Sequence, residues 1–338
     1  MMRIVPRHVL FGLGAGALWG VTFIAPGLLG PFTTLDLTAV RYLIFGVLAI
    51  VVLCALRFNP FRQLDARGWL RIIGLGLSGN TLFYLALSSG VAFAGSAPVA
   101  LIIGTLPIAM IVAGNLRSRT IAWRRLVGPI VVLASGILIT GVAALDGEEA
   151  GAGALITLGI LLGLVAVFSW LAYGIVNAEY LVEHPETGVL LWTSLTGLGT
   201  LITLPPLALA AVLVGRNDPV EFSDFGVLLF WGAVLGLGST WAATWLWNQA
   251  SSGLSTTVLG LLVVSQTVFA IIFVCLLESR WPTPAEAVSV ALIVAGVAWG
   301  LRATTGEAAP SSRGARPSPR TPEQPHRAEE SGRTRAQG

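Results

Sequence analysis

Charge is what this chain has least of. Only 11% of its 338 residues are Asp, Glu, Lys or Arg, against about 25% in an ordinary soluble domain. A surface so poor in charge would precipitate in water, so lipid is the expected solvent. Lysine is absent altogether, and all 20 basic residues are arginine. That fits a GC-rich bacterial genome rather than a chemical requirement. The two cysteines, Cys54 and Cys275, both fall inside apolar runs, which leaves no disulfide framework or metal spacing. His8, His184 and His326 are peripheral, and there is no HExxH and no His/Asp/Glu cluster. Metal and hydrolytic sites are therefore not expected. A Walker A motif is missing, which argues against direct ATP hydrolysis. No acidic residue lies in the middle of an apolar run; Glu179 and Glu278 sit at run ends. A carboxylate proton relay of the kind found in pumps is thus not visible, and no cofactor is expected. The net charge is +3, but the arginines sit between apolar runs and in a tail. Nucleic acid is not an expected partner.

What remains is apolar sequence, 55% of the chain, with mean hydropathy +0.81. Apolar runs fall near 9–29, 37–56, 70–90, 96–116, 126–145, 153–177, 188–213, 225–249, 256–277 and 285–302. Each is about 20 residues, long enough for a helix to cross a hydrocarbon core of roughly 30 Å. The runs are continuous rather than alternating, which predicts helices and not a barrel. Arg3 and Arg7 before the first run resemble a signal peptide, but the run is long enough to span and has a counterpart later in the chain.

The arginines test the count. With ten helices, 17 of the 20 arginines fall on one side, Arg216 and Arg280 on the other, and Arg41 inside the second run. The positive-inside rule then places both termini in the cytoplasm of a bacterial inner membrane. The 6–7 loop carries Glu179, Glu183 and Glu186 but no arginine; acidic residues weigh little in that rule.

The two halves resemble each other. Gly12, Leu13, Ala15 and Trp19 recur as Gly163, Leu164, Ala166 and Trp170 at a constant offset of 151 residues. Ser88-Ser89-Gly90 recurs as Ser251-Ser252-Gly253, and Ser135-Gly136-Ile137 resembles Ala295-Gly296-Val297. Five helices per half means that the second half enters the membrane from the opposite side. The fold class expected is an all-α membrane protein of ten transmembrane helices in two inverted five-helix repeats, an architecture used for alternating access. The boundaries are 1–145 for the first repeat, 146–152 for a periplasmic linker, 153–302 for the second repeat and 303–338 for a cytoplasmic tail too polar to fold.

These features resemble the drug/metabolite transporter superfamily in its EamA-type branch. Trp19-Gly20 is similar to that family's opening motif, Arg41 to a basic residue early in its second helix, and Pro107 to a proline in its fourth. Glu278 resembles its acidic helix ending. Ser265 stands near where the family often has a second proline, and Ser118 or Thr120 where it often has an acid. The resemblance implies ten helices, cytoplasmic termini and transport of small metabolites, commonly amino acids or related compounds, in either direction.

Buried polar residues are costly in lipid and mark candidate binding positions. Asn80 and Tyr84, four apart, share a helix face. So do Tyr173 and Asn177. Trp245, Asn248 and Gln266 join them, and Trp19 and Trp170 are candidates for a cavity wall. Amides and rings together suit a small polar solute with an apolar part; hydrogen bonding between helices is the competing explanation. Trp241, Trp245 and Trp247 read equally as an interfacial belt. Arg41 either snorkels to the interface or binds a substrate carboxylate. Pro107 is expected to kink its helix beside a cavity. The small-residue stripe Gly12, Gly16, Gly20, and its like at Gly232 and Gly236, is either static packing or a sliding surface.

The expected activity is secondary transport, by export, with the lipid bilayer and a small-molecule substrate as partners and a monomer or homodimer as the unit. A passive facilitator or lipid flippase of the same fold is the alternative. A receptor or membrane enzyme is a weaker one, since neither a large extramembrane domain nor a catalytic constellation is present.

Overall fold

The computed structural model describes residues 6–119, 121–143, 153–214, 220–222 and 224–305. The linker expected at 146–152, most of the tail, Thr120 and Arg216 lie outside these residues. The described chain is helical, with no strand among the described residues. Its long segments are α1 (Pro6–Gly20), α2 (Thr34–Ala55), α3 (Ala66–Ala94), α4 (Pro98–Ser118), α5 (Trp123–Ala143), α6 (Gly153–Glu183), α7 (Val189–Val214), α8 (Asp224–Ser251), α9 (Thr256–Leu277) and α10 (Pro284–Thr305). Eight of them, all but α1 and α5, are long and apolar enough to cross a membrane.

The run at 9–29 folds differently from the continuous helix expected. The α-helix stops at Gly20, and Val21–Phe23 and Ala25–Leu28 are 3₁₀ turns. Fifteen residues rise about 22 Å, short of the hydrocarbon core. Pro26, which has no N–H to donate, stands in the second turn.

Helix starts are read easily from their caps. At α2, Thr33 accepts from the Asp36 N–H while Asp36 accepts from the Thr33 N–H. Thr283 and Glu286 repeat that reciprocal cap at α10. Arg280 grips Glu286 with two hydrogen bonds of 2.7 and 2.9 Å and also pairs with Glu278. These bonds, to Glu286 first and Glu278 second, raise the guanidinium above its ordinary pKa.

Four helix interiors depart from regular α geometry. Residues Leu77–Thr81 of α3 and Val234–Ala242 of α8 are π-helical. Both α4 and α9 are interrupted, at Thr105 and Val264. Pro107 sits in the first turn after the α4 break, where its missing N–H costs no helical bond.

The main packing pairs are α2 with α7, α5 with α10, α4 with α9, α3 with α6, α1 with α8, α3 with α7, α2 with α8, α1 with α9 and α4 with α6. Small residues set the closest crossings. A Cβ on Gly12, Gly16 or Gly20 would meet Leu262, Ser265 or Phe269 of α9. Where α3 crosses α7, a Cβ on Gly199 would lie 1.9 Å from the Ile72 carbonyl oxygen. Only glycine permits such backbone approach.

Candidate functional site

α2 carries Arg41 about 10 Å in from its start, two helical turns. The residue is 4% exposed, so it does not snorkel to a surface. Its Nε donates to Thr240 Oγ1 of α8 at 3.1 Å. Its guanidinium carbon lies 5.0 Å from the Tyr42 ring centre and 4.7 Å from that of Tyr84 on α3. Those two rings meet edge to face at 5.7 Å. Tyr84 also packs on the apolar cluster that holds Tyr173 of α6. Three of the chain's 4 tyrosines thus gather near one buried arginine. Among the described residues, no carboxylate stands at ion-pair distance from Arg41. Tyr42 Oη is buried without a hydrogen-bond partner.

Beside this polar group stands an aromatic one. Trp19, Trp170 and Trp247 form a triangle with ring centres 6.0, 5.3 and 5.6 Å apart. Tyr173 touches Trp170 at 5.8 Å, which joins the triangle to the tyrosines. Trp247 is completely buried. It belongs to the core and cannot form part of an interfacial belt.

Asn177 and Asn248 meet, but in a closed network. Asn177 Nδ2 donates to Asn248 Oδ1, Trp192 Nε1 donates to Asn177 Oδ1, and Asn248 Nδ2 donates to Thr193 Oγ1, each at 2.9 Å. Both amides are wholly buried. The arrangement ties α6, α7 and α8 together, as interhelical amides do in lipid.

The pair Asn80 and Tyr84 diverges. Asn80 Nδ2 donates to Thr200 Oγ1 of α7 at 2.9 Å, whereas Tyr84 turns to Arg41 on α2. Asn80 lies in the π-helical turn, where i to i+5 bonding widens the turn and the four-residue spacing no longer fixes one face. Tyr173 and Asn177, in regular helix, sit one turn apart: Tyr173 against Gly79, Asn177 in the amide network. Gln266 is half-buried, with its backbone N–H against Gly16 at the α1–α9 crossing. Pro107 is buried.

A groove of about 510 Å³ runs between the start of α7 and the end of α8, lined by Val189, Leu190, Trp241, Trp245 and Gln249. Trp241 also packs on the cluster holding Tyr42 and Phe45, and its Nε1 is buried without a partner. The groove therefore borders the Arg41 group.

Sequence reasoning missed Tyr42, Thr240 and Trp192. Tyr42 could have been suspected as the immediate neighbour of a buried arginine. Thr240 could not, because its direction depends on the π-helical segment of α8.

The EamA-like transporter family matches this chain over residues 7–141 and again over 157–301. The chain belongs to the EamA-like transporter family. Its relatives include an inner membrane protein of Escherichia coli (strain K12), YtfF, 30% identical over 305 residues that cover 87% of this chain and 95% of that protein. An uncharacterized transporter of Haemophilus influenzae is 32% identical over 78 residues, 22% of this chain and 41% of that protein. A crystal structure at 21% identity superposes with a TM-score of 0.70, covering 88% of this chain and 97% of the other; that likeness concerns the fold. As a member of the EamA-like family, the chain is a membrane protein whose kinship points to small-molecule transport rather than catalysis.

Proposed function

We propose that this protein is a secondary transporter that exports small metabolites, amino acids or related compounds, by alternating access. Ten helices would form two inverted five-helix repeats with both termini in the cytoplasm. The carrying observation is an exchange of partners. Swapping α1 to α5 for α6 to α10 sends α3–α6 to α8–α1, α3–α7 to α8–α2 and α1–α9 to α6–α4, while α2–α7, α4–α9 and α5–α10 map to themselves. The π-helical segments fall on the exchanging pair α3 and α8, and the helix breaks on α4 and α9. Even single bonds correspond: Ser169 donates to the Ser78 carbonyl, and Ser239 to the carbonyl of Leu18, the residue 151 before Ser169. Two half-bundles so related can rock about a site between them.

The family matching each half separately supports the same reading. In this orientation the groove at the start of α7 opens toward the cytoplasm, the loading side for an exporter. The test is uptake of a labelled amino-acid panel into proteoliposomes, with and without a pH gradient. Saturable uptake above empty liposomes supports transport. No uptake of any amino acid by folded protein would sink the amino-acid reading.

A further inference from the structure

Arg41 is the one buried arginine among the described residues, and it has no acid to neutralise it. Proteins bury charges paired, because an isolated ion in a low-dielectric interior is costly. Here the guanidinium Nε donates to Thr240 Oγ1. Two ring faces stabilise it further, but neither supplies negative charge. The fork makes no ion pair among the described residues, and its geometry matches a carboxylate in a bidentate pair.

Its surroundings point the same way. Tyr42 Oη and Trp241 Nε1 are both buried without hydrogen-bond partners. Each can donate to an anion. Trp241 also lines the groove, so a solute entering there reaches this group first. Apolar surface follows immediately: Tyr173 continues into the Trp19, Trp170 and Trp247 triangle.

We propose that Arg41, with Tyr42 and Trp241, is the carboxylate subsite of this protein, and that it selects small organic monoanions with an apolar body over zwitterions and cations. The inference rests on the transporter reading but shifts the preferred substrate from zwitterionic amino acids to related carboxylates that lack the ammonium group. A zwitterionic amino acid brings an ammonium group as well, and among the described residues no carboxylate stands at ion-pair distance from Arg41 to receive it. A simple carboxylate leaves the loaded site electrically neutral. An amine or amide of the same skeleton leaves the arginine charge standing.

The experiment is calorimetric binding to the purified full chain in detergent. The probes are unbranched and phenyl-substituted carboxylates from propanoate to phenylpropanoate, each beside its amide and its 2-amino acid. The expected result is saturable binding of at least one carboxylate, about tenfold or more tighter than its amide, with the amino acid between them. Arg41→Gln should abolish the preference, and Arg41→Lys should keep part of it, both at near wild-type melting temperature. If Arg41→Gln does not fold, Trp241→Phe reads the same subsite and should weaken the carboxylate without affecting the amide. Equal binding of acid and amide overturns the inference, as does carboxylate binding untouched by Arg41→Gln or Trp241→Phe. So does the absence of carboxylate binding by folded wild type. Flux of an amide or amine in proteoliposomes without this dependence would leave transport standing and sink the subsite alone. Arg41-dependent binding with no flux of any probe would sink the transport reading alone.

Discussion

Trp19 and Trp170, 151 residues apart in sequence, touch edge to face with ring centres 6.0 Å apart. They occupy matching places in the two halves. Residues exchanged by a two-fold axis meet only if both lie beside that axis. In the inverted-repeat arrangement proposed above, the contact marks where the two half-bundles face one another, and Trp247 closes the group from α8.

Trp19→Phe and Trp170→Phe should each cost about 1 kcal/mol of aromatic contact. If the same contact is offered to solute, apparent affinity weakens roughly fivefold. Trp281→Phe, at a residue 92% exposed, should change neither. Transport kinetics alongside melting curves check this; a Trp281 effect as large as the Trp170 effect would remove the axis from the account.

The crossing of α3 and α7 should be the least tolerant place for added volume. Gly199→Ala drives a Cβ onto the Ile72 carbonyl, and Gly76→Ala onto the backbone of Gly199 and Thr200. Overpacking of this kind costs about 1–3 kcal/mol. Gly74→Ala, with nothing within 4 Å of the new methyl, should be neutral or stabilising by up to about 1 kcal/mol. Thermal melts in detergent separate the three.

Asn177→Ala strips Trp192 of its acceptor and Asn248 of its donor. A loss of about 1 kcal/mol is expected, in the range of interhelical hydrogen bonds in lipid. The double variant Asn177→Ala/Asn248→Ala should lose less than the sum of the singles, since the two share one bond. Additive losses would show that the amides act independently. Transport should change only as stability does.

The arginine distribution predicts a sidedness that labelling can test. In a chain with Cys54→Ser and Cys275→Ser, Arg62→Cys should react with an impermeant maleimide only after the cytoplasmic face is exposed. Trp281→Cys should react from outside in intact cells. The reverse pattern would invert the protein and the export reading with it.

Much of the helical frame was legible because each apolar run is long and charges fall between them. The Trp19–Trp170 match was legible for the same reason: the repeat preserves both tryptophans at one offset. The departures from α geometry were not. Asn80 and Tyr84 parted company because a π-helical turn has no compositional mark. α9 breaks at Val264 with no proline in that turn, so the residue expected to signal a break is dispensable there. Arg41 left two readings open in sequence, and the second-half residue that decides its direction, Thr240, lies 199 residues away.

The indole triangle has an optical consequence. Three tryptophans this close exchange excitation energy, so quenching one dims all of them. Of the chain's 11 tryptophans, these three alone form Trp–Trp ring contacts among the described residues. A solute entering beside Tyr173 would alter a collective emission, and rocking of one half-bundle against the other would change the ring spacing that permits the transfer. The unlabelled protein should thus report its own occupancy and its own conformational exchange through a single intrinsic signal.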